Sequence, residues 1–288
     1  MSHLALVLFS GVASGTVYGL IGLGIVIVFR ATDTVNFAVG AMSLFGMYIA
    51  AGLASSIGVV PAFLVGAVVA VGIGLVVREL LIRPLGPGRP FPALIMTLGI
   101  TLILEEVISE IWGSVPRSFP DFISGTTKVG SVYIRNQDVL TIVLAVLAVG
   151  GVSYLFTRTP LGSAMRAVAE SPQTARLIGV NDRSVARVAW ILGTALAALG
   201  VALYVGPTGL TPTIALPAIF RALSGILLGG LTSMEGAVIG GLLIGVLDNV
   251  AATYISASLR DTFVFAVAIL VLLGRPQGMF GRRTFARV

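Results

Sequence analysis

Charged side chains are scarce in this chain, so the few that fall within apolar runs are its first candidates for chemistry. Glu105, Glu106 and Glu110 lie toward one end of an apolar stretch, and Arg221, Glu235 and Asp248 lie in or beside two others. A charge inside a bilayer is costly and often marks an ion or proton route. For the three glutamates the competing reading is a partly solvated helix end at the membrane interface. Arg221 either pairs with a carboxylate or extends its aliphatic stem so that its head reaches the interface. Polar groups of a second kind are Asn36 and Ser43 around Gly40, and Thr97 and Thr101, which share a helix face at four-residue spacing. They suit a narrow wet pathway for a small solute, and equally suit hydrogen bonding between helices.

Constellations for covalent chemistry are missing. There is no cysteine, His3 is the single histidine, and neither H-E-x-x-H nor G-x-S-x-G occurs. Gly22-Leu23-Gly24 and Gly72-Ile73-Gly74 lack the third glycine of a dinucleotide fingerprint. Lys128 is the only lysine, so the chain has no phosphate-binding G-x-x-x-x-G-K-[ST] loop. ATP hydrolysis, if it drives this protein, takes place on another chain.

The elements that must position these residues are apolar. Of 288 residues, 57% are hydrophobic and 10% charged, against about 25% charged in soluble domains. The composition defines a membrane protein, with one integral membrane domain spanning 1–288 and no room for a separate soluble one. Nine apolar segments run approximately over 4–29, 36–55, 59–80, 91–112, 139–156, 188–205, 213–231, 236–255 and 262–274. Pro212 and Pro217 interrupt the start of the seventh and the ninth is short, so either is a candidate for a broken or re-entrant segment. The expectation is an all-α polytopic bundle of about eight to nine spans. The first segment is too long for a signal-peptide core and reads as a retained span.

Basic residues set the orientation. Arg158, Arg166, Arg176, Arg183 and Arg187, five of the 18 Lys and Arg, gather between Thr157 and Arg187. With that segment in the cytoplasm, Arg30, Arg78, Arg83, Arg89, Arg275, Arg282, Arg283 and Arg287 join it, thirteen in all. The other side receives Arg117, Lys128 and Arg135 from an external loop, 113–138, plus Arg260. This places the N-terminus outside and the C-terminus inside. The net charge of +6 is thus a matter of topology, and no nucleic-acid partner is expected.

Two local patterns stand out. Gly11, Gly15 and Gly19 repeat at four-residue spacing, as do Gly236 and Gly240, and Gly241 and Gly245. Such spacing gives a flat helix face that lets backbones approach closely where lipid supplies no hydrophobic drive. In the cytoplasmic segment, Ser171 is a good N-cap with Pro172 at the first helical position, and Gly179 is a C-terminal stop with Asn181 behind it. A helix of about two turns is predicted there, after a first helical piece around GSAMRAVAE. So short a helix must rest on something. It is either an ordinary surface loop or a rigid docking knob.

Several stretches carry a family resemblance: VYGLIGLGIVIVFRATDTVNFAVGAMSLFGMY, RPLGPGRPFPALIMTLGITL, RTPLGSAMRAVAESPQTARLIGV, LLGGLTSMEGAVIGGLLIGVL and GRPQGMFG. In this order, over nearly the whole chain, they closely resemble LivH-type permeases, the membrane subunits of ABC importers for branched-chain amino acids. The resemblance implies a type II importer-like helical permease that pairs with a second, LivM-type permease. It also implies two cytoplasmic ABC ATPases that bind ATP and Mg, no cofactor on this chain, and a periplasmic or surface-anchored substrate-binding protein. The residues around Ser171 match the coupling element that seats in the ATPase, which makes Arg166, Glu170, Ser171, Pro172, Arg176 and Gly179 the docking candidates. Ala41 stands where such permeases commonly carry glutamate, which widens the expected solutes to amides, urea and other small polar molecules. The competing class is an ion-coupled secondary transporter using Glu105, Glu106 or Asp248.

Overall fold

The computed structural model describes residues 2–86, 88–129 and 132–281; Arg282, Arg283 and Arg287, counted above for orientation, lie outside them. The helices are α1 (Ser2–Thr32), α2 (Val39–Ile57), α3 (Val59–Val77), α4 (Pro90–Trp112), α5 (Asn136–Arg158), α6 (Pro160–Glu170), α7 (Pro172–Leu177), α8 (Asp182–Thr208), α9 (Ala215–Gly229), α10 (Met234–Tyr254) and α11 (Arg260–Gly274). Each of the nine apolar segments coincides with one helix. Seven are long and apolar enough to cross a membrane. α9 and α11 have 15 residues each, about 22 Å at 1.5 Å per residue, short of the roughly 30 Å hydrocarbon core. A small antiparallel hairpin, β1 (Thr126–Val129) with β2 (Val132–Arg135), sits between α4 and α5. No hydropathy pattern signals it, because it lies in the polar loop.

α1 is the central post. It is enclosed by α5, α8, α9 and α10, while α2 packs between α3 and α8. α3, α4 and α5 turn apolar side chains such as Val68, Ile103 and Leu147 outward, as lipid-facing helices do. α3 ends in a wide π-helical turn, Arg78–Ile82, and a tight 3-10 turn, Arg83–Leu85, that contains Pro84. α9 is built for burial, with Ala215, Ala218, Ile219, Ala222 and Ile226 all shielded. The irregular backbone that precedes it, 209–214, is held by mutual bonds between Arg117 and Leu210 at 2.9 and 2.7 Å. A broken span therefore meets protein rather than lipid, the condition under which irregular backbone is tolerated at membrane depth.

Helix pairs meet through glycine. Gly11, Gly15 and Gly19 of α1 face Val246, Leu242 and Val238 of α10, and a Cβ on Gly15 would stand 2.7 Å from the Leu242 Cα. From α10, Gly241 and Gly245 press on the Gly19 and Gly15 backbones, while Gly236 and Gly240 press on Gly229 and Gly225 of α9. Gly24 opposes Gly193 on α8, and Gly46 on α2 opposes Gly66 on α3. Where backbone meets backbone a side chain has no rotamer by which to escape. Gly15→Leu should therefore lower the stability of the detergent-purified protein by more than about 3 kcal/mol. Gly72→Ala, with nothing within 4 Å of the added carbon, should not lower it and should raise it by about 0.5–1 kcal/mol through helix propensity. Thermal unfolding of the two variants is the comparison.

Candidate coupling site and buried polar network

α6 and α7 lie at one end of the bundle, opposite the hairpin. The Thr159 hydroxyl accepts from the Gly162 backbone N–H at 3.1 Å and Pro160 opens α6. Gly162 lies directly on the backbone of Leu155 and Phe156, so a side chain there would push α6 off the end of α5. Met165 and Val168 bury the inner face of α6, while among the described residues Arg166 bonds its neighbour Ser163, at 3.1 Å, and Glu170 is exposed. Ser171 then caps α7, accepting from the Thr174 N–H at 3.2 Å, with Pro172 in the first turn. α7 ends with Gly179 at φ +84°, the left-handed geometry that glycine adopts without penalty. The Gly179 and Val180 N–H groups donate back to Arg176 and Ala175, the paired bonds of a Schellman stop. Asn181 accepts from Arg183 and Ser184 and so starts α8 at once.

The result is a knob with both ends tied. Arg176 forms a 2.5 Å ion pair with Asp182, so its charge is spent partly within the knob. The side chains that stand furthest out are apolar: Leu177 is 87% exposed and Ile178 70%. The docking candidates read from the sequence shape and flank the knob. Its tip, Leu177 and Ile178, was missed, although two adjacent aliphatics in a polar segment were a visible sign. Beside the knob opens a cavity of about 1520 Å³ walled by the ends of α1, α3 and α8 and by α6 and α7. Arg30, Arg83, Arg89, Arg166 and Arg183 line it, and Trp190 stands at its buried edge. The motif GRPQGMFG closes over the same end: the Met279 and Phe280 N–H groups donate to Leu228 and Gly229 at 2.8 and 2.9 Å.

The five pathway candidates lie elsewhere, and none lines that cavity. Asn36 is wholly buried in the non-helical stretch between α1 and α2, its Oδ1 accepting from the Ala38 N–H at 3.0 Å. Across from it, Thr97 accepts from the Phe37 N–H at 3.3 Å and Thr101 donates to the Phe37 carbonyl at 3.2 Å. Three of the five thus meet at one helix break, where hydroxyls from α4 satisfy the backbone groups that the break frees. Ser43 donates to the Val39 carbonyl within α2 at 2.7 Å, and Gly40 receives the Ile219 side chain of α9. Of the three glutamates on α4, only Glu105 is buried; it reaches the Leu216 N–H in the first turn of α9. Glu106 and Glu110 are exposed.

Arg221 finds its partners far along the chain. Its guanidinium donates to Asp261 at 2.5 and 2.9 Å and to the Tyr204 hydroxyl at 2.8 Å, and lies 3.5 Å from Asp248. Asp248 also accepts from the Tyr18 hydroxyl at 3.2 Å and faces Arg260 at 3.7 Å. Five helices, α1, α8, α9, α10 and α11, are joined by this one cluster. Two arginines against two aspartates leave it with no net charge, as a buried ionic group requires.

A capped knob at one end of a glycine-packed bundle, with seven helices long and apolar enough to cross a membrane, defines a polytopic membrane protein. The chain belongs to the family described as branched-chain amino acid transport system, permease component, whose model matches residues 7–272. Among its relatives, the high-affinity branched-chain amino acid transport system permease protein BraD of Pseudomonas aeruginosa is 30% identical, over 98% of this chain and 97% of BraD. LivH of Escherichia coli K12, with the same description, is 30% identical over 98% of this chain and 96% of its own length. A solved structure, PsaBC from Streptococcus pneumoniae in complex with Fab, shares the fold with a TM-score of 0.51 at 10% identity, covering 93% of this chain and 90% of that one.

The ionic cluster makes a testable contrast. Arg221→Met removes the buried guanidinium shared by Asp248 and Asp261 and should cost about 3–5 kcal/mol of stability. Arg260→Met, at a residue 37% exposed, should cost about 1 kcal/mol or less, both read by thermal unfolding in detergent.

Proposed function

We propose that this chain is the transmembrane subunit of an ABC importer that moves branched-chain amino acids or related small polar solutes, such as amides or urea, across the bacterial cytoplasmic (inner) membrane. It works beside a second permease of LivM type. Two cytoplasmic ATPases bind ATP and Mg, and a periplasmic or surface-anchored binding protein delivers solute to the opposite side. The N-terminus and the hairpin face outward; the C-terminus, α6 and α7 face the cytoplasm. The observation that carries this reading is the doubly capped α7 with Leu177 and Ile178 at its tip, on a chain of this family. An exposed apolar pair on a rigid, charged knob suits a hydrophobic cleft with acidic edges, where Arg166 supplies complementary charge.

In this scheme closure of the ATPases displaces α7. Ser171, Pro172 and Gly179 keep it rigid enough to transmit that displacement. α6 hands part of it to α1 and α5, against which it packs, and α1 carries α9 and α10 with it through the glycine contacts. Alternating access follows as a rigid-body shift of that block against its neighbours. Asn36, Thr97 and Thr101 sit at the break between α1 and α2, with Gly40 and Ser43 in the first turns of α2, where such a shift would change which backbone groups meet solvent. Ion coupling through Asp248 is poorly supported, because two arginines already neutralise that carboxylate.

Replacing 171–179 with a flexible linker should abolish co-purification of the ATPases while leaving membrane insertion intact. Leu177→Asp together with Ile178→Asp should weaken ATPase binding at least about tenfold. Undiminished co-purification of either variant would contradict the assignment of α7.

A further inference from the structure

α7 packs against α6 and also against the start of α8, and what lies behind α8 at that level is the π-helical end of α3. One carboxylate joins the two. Glu79 Oε1 accepts from Arg187 Nε of α8 at 2.6 Å, across 108 residues of sequence. Its other oxygen, Oε2, accepts from Arg83 Nη1 at 3.0 Å on its own segment, and Arg78 also contacts it. Arg78 is itself buried and extends a second hydrogen bond, Nη2 to the Arg183 carbonyl, at 3.0 Å. Two bonds therefore cross from α3 to the first turns of α8, immediately after the Arg176–Asp182 pair that ties α7 to α8. The α3 side of this clasp is a π turn, a geometry that recurs at functional sites in helices. Charge-assisted bonds of this kind hold orientation better than apolar contact does.

We infer that Glu79 is a positioning residue for coupling: through Arg187 it fixes α3 to α8 so that a displacement of α7 is carried into α3, and by the Gly46–Gly66 contact into α2. The load path runs from α7 through Arg176 and Asp182 to the start of α8, then through Arg187 and Glu79 to α3. Arg83, which bonds the same carboxylate from the same segment, adds nothing across the joint. The inference rests on α7 being the ATPase-docking element.

The test uses the complete importer in proteoliposomes, with ATPase co-purification, ATP hydrolysis and solute uptake measured together for Glu79→Gln, Arg187→Gln and Arg83→Gln. Glu79→Gln and Arg187→Gln should keep the ATPases bound and hydrolysing, yet lower the solute moved per ATP about fivefold. Arg83→Gln should keep the wild-type ratio. Arg187 is half exposed, so its variant folds even if Glu79→Gln proves unstable. A wild-type ratio in Arg187→Gln, or an equal fall in Arg83→Gln, would overturn the clasp. Loss of ATPase binding in Arg187→Gln would overturn it as well, by making the residue part of the docking surface. A wild-type chain that purifies with no ATPase would overturn the reading of α7 and the clasp with it.

Discussion

Direct backbone contact between helices is the constraint on which this structure depends. Lipid tails are as apolar as leucine, so helices within a bilayer gain little from hiding apolar side chains from it and must gain from close approach instead. In α1, α9 and α10 the approach is carried to its limit: Gly15 and Gly19 against Gly245 and Gly241, then Gly240 and Gly236 against Gly225 and Gly229. Dispersion is the main force at such distances and it falls steeply with separation. Three helices so joined leave no room between them for a side chain.

That packing determines where the polar groups can go. Apart from Glu105 and Glu106 on α4, helical charges among the described residues lie toward helix ends or in the neutral cluster of Arg221, Asp248, Asp261 and Arg260, which ties the short α9 and α11 to the central block. Backbone breaks occur where other helices supply hydrogen bonds, as Thr97 and Thr101 do for Phe37. The remaining polar contacts gather at the basic end: the capped ends of α6 and α7, the Arg176–Asp182 pair, and the bonds between α3 and α8. A stiff interior whose polar joints are gathered on one face is suited to being moved from that face.

Much of this was legible in the sequence, and the division follows the range of the interactions. The nine apolar segments match nine helices because span length is set by the bilayer, and α7 is legible because Ser171, Pro172 and Gly179 act on neighbours within a few residues. Glu79 illustrates the opposite case. Its spacing to Arg83 is visible, but its bond to Arg187 depends on how α3 packs against α8, and nothing local records that. Arg221 likewise sits 40 residues from Asp261 and was left without a partner. The hairpin escaped because strands of four residues in a polar loop leave no hydropathy pattern. Asn36, Thr97 and Thr101 were grouped by type alone; the structure adds that they converge on one helix break, which is a tertiary fact.

In the proposed assembly, partner ATPases drive this chain from its basic end. The most direct measurement is accumulation of a radiolabelled branched-chain amino acid against its gradient in proteoliposomes. It would compare the chain reconstituted alone under an imposed proton or sodium gradient with the chain assembled with its ATPases, second permease and binding protein and supplied with ATP. The account predicts accumulation only in the assembled, ATP-fed vesicles. Uphill accumulation by the isolated chain under an ion gradient would contradict it.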